Sequence, residues 1–325
     1  MSADFRKDAF PILKDYLFYL LTIKEKSERT VNEYFIDLRT FFRFLKFKRG
    51  FVPKEIPFDE IKIDDVDLEL IKSVTLFDAY EFMDYVKTER SNNSSTRLRK
   101  SSSLKGFFNY LNVKKHLIDS DPFTELETPK QKKSLPKYLT LEQSVRLLEA
   151  VDGKHKERDY CILTLFLNCG LRLSELVGLN VTDIRSDNTA RVLGKGNKER
   201  VIYLNDACIS AIEAYLKKRP NDGLIDRNAL FISNQHRRMS REMVQKTVQK
   251  YLKKIGLDAQ GYSCHKLRHT AATLMYQHGN VDIRVLKEIL GHENLGTTEI
   301  YTHLNSQQLA NAADSNPLSK VKSKK

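Results

Sequence analysis

Hydrophobic positions in the first third of the chain recur at helical spacing. In VNEYFIDLRTFFRFL, Tyr34, Leu38, Phe41, Phe42 and Leu45 fall on one face with Lys and Arg opposite. The stretch RLRKSSSLKGFFNYL repeats the pattern through Leu104, Phe107, Phe108 and Leu111. Steps of three and four residues put side chains on one stripe of a helix, so both segments are predicted to be amphipathic helices. The intervening FKRGFVPKEIPFDEIKIDDVDLELIKSV carries two prolines and an acidic cluster. It predicts a loop with a short helix, before another helix begins near Leu76.

The periodicity then breaks. DPFTELETPKQKKSLPKYLT holds three prolines and a lysine-rich run, the composition of an exposed linker. It ends at Thr140–Gln143, a T-x-x-Q capping box that opens the helix QSVRLLEAV. The expected organisation is therefore a helical domain over 1–128, a linker over 129–136 and a second domain over 137–325. In the second domain, RDYCILTLFLNCGLRLSELVGL reads as helix, turn, helix, punctuated by Gly170 and Gly178. ARVLGKGNKERVIYL reads as two short strands about a glycine-rich turn, a β-hairpin. The remainder is mostly helical, and SQQLANAADSNPLSKVKSKK starts as a small-residue helix and ends as a basic tail. The fold class expected is mainly α with a small antiparallel β-sheet in the C-terminal domain.

Composition narrows the partner. The 325 residues suit about two domains. Lys and Arg total 55 against 42 Asp and Glu, a net charge of +13 that favours a polyanion, either nucleic acid or an anionic membrane. No apolar run approaches the ~20 residues needed to span a bilayer. The N-terminus carries acidic residues and no small-residue cleavage site, so no signal peptide is expected. The four cysteines form no C-x-x-C pair. Cys161 and Cys169, eight apart on an apolar helical pattern, suit reduced core thiols in a cytoplasmic protein. Neither zinc nor redox chemistry is indicated.

Four separated words carry candidate chemistry. Arg172 follows a glycine turn in CGLRLSEL, where a rigidly placed guanidinium can grip a phosphate bidentately; its ordinary role would be an ion pair with Glu175. Lys195 projects from the hairpin turn GKGNKER, which is not a nucleotide P-loop because it lacks G-x-x-x-x-G-K-[ST]; an ordinary basic turn would look the same. In SCHKLRHTAATLM, His265 and Arg268 are three apart and share a helix face, an unfavourable pairing unless an anion lies between them. His269 should point elsewhere, and Leu267, Ala271 and Leu274 look like core. Finally, GHENLGTTEIYTH sets His292 nine residues before Tyr301. A free tyrosine has a pKa of about 10, so a nucleophilic Tyr301 needs cations around its phenolate. As one of fourteen tyrosines it has an ordinary packing reading as well.

The set and its order are more specific than any one word. G-L-R, a G-K-G hairpin, H-x-x-R, L-G-H and a tyrosine nine residues on resemble the signature of the tyrosine recombinases, the family of phage lambda integrase, Cre and the Xer proteins. LRLSELVGLNVTDI, LGKGNKERVIYL, HKLRHTAATLM and ILGHENLGTTEIYTH are most similar to the Xer branch. SERTVNEYFIDLRTFFRFL and the LPKYLT linker extend the likeness through the first domain.

The resemblance implies a two-domain C-shaped DNA clamp, a helical SAM-like core-binding domain joined to a catalytic domain. It makes Tyr301 the nucleophile on a DNA phosphodiester, Arg172 and Arg268 the clamp on the non-bridging oxygens, and Lys195 the acid for the departing 5′-oxygen. It makes His265 a proton acceptor or donor near the tyrosine, His292 a phosphate ligand and Glu175 a supporting acidic residue. No metal and no other cofactor is implied, and no ATP. Thr30, Arg97, Arg99, Lys100 and Lys105 of the first domain would meet DNA. So would Arg237, Arg238, Arg241, Gln245 and Lys246 at or before SREMVQKTVQKYLKKIG, the segment resembling the family's major-groove helix. The partner implied is a double-stranded recombination site held by a tetramer, of this chain alone or with a paralogous recombinase, each protomer lodging its C-terminal helix (SQQLANAADSN) in a neighbour. No membrane partner is implied; an accessory protein is not specified.

Two features depart from the pattern. Cys169 stands where a threonine is more usual before G-L-R, and the 46–75 loop is longer than in compact Xer proteins. No arm-type DNA-binding module is expected ahead of the first helix, as for a simple-site, Xer-like recombinase acting in the cytoplasm on the nucleoid. Chromosome dimer resolution and mobile-element integration both remain open. The rivals are a catalytically silent DNA-binding protein on this fold, for which the loss of a pocket residue would be the sign, and a type IB topoisomerase relaxing supercoils as a monomer.

Overall fold

The computed structural model describes residues 4–127, 137–194, 198–279 and 281–291. The chain divides into two compact units, Met1–Lys133 and Ser134–Lys325. The linker expected over 129–136 and the C-terminal helix expected in SQQLANAADSN lie outside the described residues.

The first unit is helical: α1 Phe5–Asp8, α2 Pro11–Thr22, α3 Glu28–Lys48, α4 Leu68–Lys72, α5 Leu76–Thr88 and α6 Ser94–Asn109, the last running into one π-helical turn at Tyr110–Lys114. Side-chain caps start most of these helices: Ser27, Thr75 and Asn93 accept from the backbone N–H three residues on. The predicted stripe of α3 is buried, with Leu38, Phe41, Phe42 and Leu45 fully inside. Edge-to-face rings fill the centre, among them Phe41–Phe82 at 5.2 Å and Phe108–Phe123 at 4.6 Å between centroids. The 46–75 segment keeps the expected short helix, α4, and a 3-10 turn at Phe58–Glu60.

Through this apolar centre runs one carboxylate. Asp37 of α3 is 1% exposed and accepts from three residues of α6: Arg99 Nη1 at 2.8 Å, Lys100 Nζ at 3.0 Å and Ser103 Oγ at 2.9 Å. Burial pushes the Asp37 carboxyl up and the Lys100 ammonium down, and their mutual pairing offsets both. The geometry corrects one expectation: Lys100 is buried and held by Asp37, so it is no surface phosphate ligand. Arg99 is likewise held, by Asp37 and by Glu33 Oε2 at 2.9 Å. Arg97 and Lys105 sit half-buried within α6. Thr30, in the first turn of α3, bonds Ser27 Oγ at 2.8 Å.

The second unit comprises α7 Leu141–Glu149, α8 Lys156–Cys169, α9 Leu173–Gly178, strands β1 Thr189–Leu193 and β2 Glu199–Tyr203, then α10 Asp206–Leu216, α11 Arg241–Lys254, α12 Cys264–His278 and α13 Ile283–Leu290. The T-x-x-Q box caps α7 in both directions, Gln143 N–H to Thr140 Oγ1 at 3.1 Å and Thr140 N–H to Gln143 Oε1 at 3.0 Å. Helix α8 is buried nearly all round and packs on α10 and α12. The strands form an antiparallel hairpin whose inward positions pair Ala190 with Ile202 and Val192 with Arg200. All four cysteines are free and buried, with Cys169 Sγ 3.6 Å from Cys208 Sγ. Among the described residues no helix is long and apolar enough to cross a membrane.

Removing the Asp37 charge strands a buried ammonium, so Asp37→Ala is expected to cost about 3–5 kcal/mol of stability. Asp37→Ala with Lys100→Met should recover much of it. Urea unfolding of the three proteins checks this.

Candidate phosphate-binding site

The site is built on a turn that only glycine fits. Helix α8 ends at Gly170, whose φ of +59° is left-handed; a Cβ there would stand 2.9 Å from Leu290 Cδ2. The chain then reverses into α9, placing Arg172 at its first cap and Glu175 in its first turn. Glu175 is 2% exposed.

Three arginines converge on that carboxylate. Arg172 Nη1 donates to Oε1 at 2.7 Å and its backbone N–H donates to Oε2 at 2.8 Å. Arg200 Nη1 donates to Oε1, and Arg200 Nη2 to Oε2 at 2.9 Å. Arg268 Nη1 lies 3.9 Å from Oε2. Backbone carbonyls at helix ends take further guanidinium donors: Arg268 reaches Gly170 O at 2.7 Å and Leu290 O at 2.6 Å, and Arg172 Nη2 reaches Gly291 O at 2.7 Å. These carbonyls close α8 and α13, where the helix dipole is negative and favours a cation. Burial by itself would raise the Glu175 pKa; the Arg200 and Arg172 hydrogen bonds outweigh it and leave the carboxyl below its ordinary value.

The balance of charge is positive. Three guanidiniums face one carboxylate, and a third of the Arg172 side chain stays exposed. On α12, one turn before Arg268, His265 is exposed, and its pKa is lowered by desolvation and by the charges of Arg268, Lys266 and Arg172. A cationic surface of this kind suits an oxyanion with several acceptor oxygens, a phosphate above all.

Of the predicted site residues, Arg172, Glu175, His265 and Arg268 are brought together. Lys195, His292 and Tyr301 lie outside the described residues. The ordinary reading of Arg172, a pair with Glu175, is present in the structure. His269 does not point away from His265: their rings meet edge-to-face at 4.5 Å, as i and i+4 on a helix should. Arg238 is also corrected as a DNA contact, because its guanidinium ties Asp226, Val177 O, Leu179 O and Asn180 Oδ1 together. Arg237, Arg241, Gln245 and Lys246 are exposed, the last three on α11.

Arg200 was missed. Strand alternation in ERVIY puts Arg200, five residues beyond Lys195, on the inward side with Ile202. A buried guanidinium in a hairpin demands a buried carboxylate, and Glu175 was the candidate.

Glu175→Gln keeps the shape and removes the charge that three arginines share. Because the folded pKa is depressed, the carboxylate stabilises above the unfolded value near ~4.3 and that contribution is lost as pH falls through the lower folded pKa. The wild-type advantage in thermal melting is therefore expected to be full at pH 7 and to shrink below about pH 4. An advantage independent of pH would contradict it.

Comparison with known proteins identifies the family and the fold. Residues 137–308 match the model of the phage integrase family. A tyrosine recombinase XerC of Caldanaerobacter subterraneus subsp. tengcongensis is 54% identical over 309 residues, covering 95% of this chain and 87% of that protein. The XerC of Thermodesulfovibrio yellowstonii is 33% identical, covering 95% and 97%. Among solved structures, XerH recombinase bound to palindromic difH substrate in a post-cleavage complex aligns with TM-score 0.68 at 22% identity, over 88% of this chain and 79% of that one. The Tn1549 transposon integrase in complex with circular intermediate DNA aligns at 0.69 and 19% identity, over 95% and 100%. These two likenesses establish the fold, and the sequence matches establish the kinship: the chain belongs to the phage integrase family and is a tyrosine recombinase of Xer type.

Proposed function

We propose that the chain recombines DNA at a specific site through a covalent tyrosine intermediate. The Tyr301 oxygen attacks a backbone phosphorus. The bond to the 5′-oxygen breaks, leaving a 3′-phosphotyrosyl link and a 5′-hydroxyl that takes its proton from Lys195. Arg172 and Arg268 hold the non-bridging oxygens as charge builds on the pentacoordinate phosphorus, and His292 adds a hydrogen bond. Neutral His265 takes the tyrosyl proton. Rejoining reverses these steps with a 5′-hydroxyl from the partner duplex. The bond energy stays in the phosphotyrosine, so the scheme calls for no ATP. Cationic and polarising side chains serve where other phosphoryl-transfer sites use a metal.

The observation that carries this reading is the Glu175 assembly, which holds Arg172 and Arg268 against the turn carrying G-L-R. In the proposal the helical unit up to residue 128 and the unit from 137 onward both hold DNA. Thr30, Arg97 and Lys105 serve phosphates from the first; Arg237, Arg241, Gln245 and Lys246 serve it from the second, with α11 in the major groove. Four protomers act on two sites, linked by their C-terminal helices. The XerC relatives favour resolution of chromosome dimers in the cytoplasm over mobile-element integration.

Tyr301→Phe is expected to abolish covalent capture of a nicked suicide duplex while gel-shift binding persists. A covalent complex in that variant would sink the assignment. Desolvation and the charges of Arg268, Lys266 and Arg172 lower the His265 pKa, which favours the neutral imidazole that accepts a proton. Cleavage should therefore fall on acidification with a midpoint below the ordinary imidazole value of ~6.5, and His265→Gln should remove that acid limb. A wild-type rate that rises on acidification would contradict it.

A further inference from the structure

We propose that Arg200 is a positioning residue for the arginine pocket, an inference that rests on the recombinase reading above. A carboxylate offers about four lone-pair sites. On Glu175 all four are taken. Oε1 accepts from Arg172 Nη1 and Arg200 Nη1; Oε2 accepts from the Arg172 backbone N–H and Arg200 Nη2. The two-pronged contact belongs to Arg200. Arg172 is left with a single side-chain bond to the carboxylate, and its other terminal nitrogen goes to Gly291 O.

That allocation matters because Arg172 and Glu175 are three residues apart at a helix start, close enough to form a two-pronged pair of their own. Such a pair would turn the Arg172 fork inward and away from a phosphate. Arg200, filling the carboxylate from the hairpin side, holds Arg172 to one bond on Glu175 and one on Gly291 O, which leaves the second N–H of each terminal nitrogen for a phosphate.

Arg200 also sets the distance to two other segments. A Cβ on Gly291 would stand 3.1 Å from Arg200 Cδ and from its Nη1, on a backbone with φ of +62°. A Cβ on Gly194 would stand 3.9 Å from Arg200 Nη1 and 3.2 Å from Lys198 O. These glycines directly precede Lys195 and His292 in the chain. One side chain, 16% exposed, thus lies against the G-L-R turn's carboxylate and against both approaching segments. A lysine in its place offers one point charge and no fork.

The test uses a nicked duplex obtained by covalent capture on the wild-type protein from a random-sequence library. Single-turnover cleavage is followed across protein concentrations for wild type, Arg200→Met, Arg200→Lys, Glu175→Gln and the Arg200→Met/Glu175→Gln pair, with thermal melting of each. A misplacement of about 1 Å costs on the order of 100-fold. Arg200→Met should lose about that much in the saturating rate, with half-saturation within roughly threefold of wild type and Arg200→Lys in between. In the Glu175→Gln background Arg200→Met should cost little more, because it acts through that carboxylate. Wild-type cleavage by folded Arg200→Met, a loss confined to binding, or losses that simply multiply would each overturn the proposal. If Arg200→Met does not fold, Arg200→Lys decides: a wild-type saturating rate overturns the role and a reduced one with normal binding supports it. Wild-type protein that captures no duplex overturns the recombinase reading itself, before any Arg200 variant is made.

Discussion

One carboxylate with no access to water governs the second unit. Burying Glu175 is expensive unless every lone pair finds a donor, and here the donors are guanidiniums that themselves need anionic company. Each solves the other's difficulty. Three arginines from a helix cap, a strand and a helix interior could not share so small a volume without the negative charge between them. The carbonyl ends of α8 and α13 supply further acceptors, which explains why Gly170 and Gly291 stand there: a left-handed residue ends each helix and exposes its last carbonyls to the arginines. The cluster therefore joins five elements, α8, α9, β2, α12 and α13, and leaves a positive face.

The first unit repeats the principle with other partners. Asp37 sits in an aromatic core and binds α3 to α6 through two cations and a hydroxyl. At 1% exposure, the same carboxylate without those donors would be intolerable. In both units, a portion of the basic residues belongs to the architecture and not to any ligand.

Legibility followed range. Helices α3, α6 and α7 were readable because their signals, a three-four stripe or a T-x-x-Q box, lie within one segment. The hairpin was readable from its glycine turn, and the closeness of Arg172 to Glu175 from a three-residue step. The His265–His269 contact was equally local and was overlooked by treating adjacency to Arg268 as the controlling fact. Lys100 was misread for a different reason. Its partner Asp37 is 63 residues away, and nothing in RLRKSSSLK distinguishes a lysine that will be buried from one that will face solvent. Arg238 presents the same difficulty, since Asn180 and the Val177 and Leu179 carbonyls reach it only through folding. Arg200 lies between these cases: strand alternation gave its direction, and only the tertiary structure gave its partner.

The arginines bound to carbonyls and carboxylates alter what the net charge of +13 means. Affinity for a nucleic acid grows with the counterions that cationic groups displace from phosphates, and its dependence on salt counts those groups. Lys100 and Arg238 carry formal charge yet displace nothing, because their donors are already committed inside the protein. The ionic-strength response of this chain is accordingly set by how many cations fold outward, a smaller number than its composition would suggest.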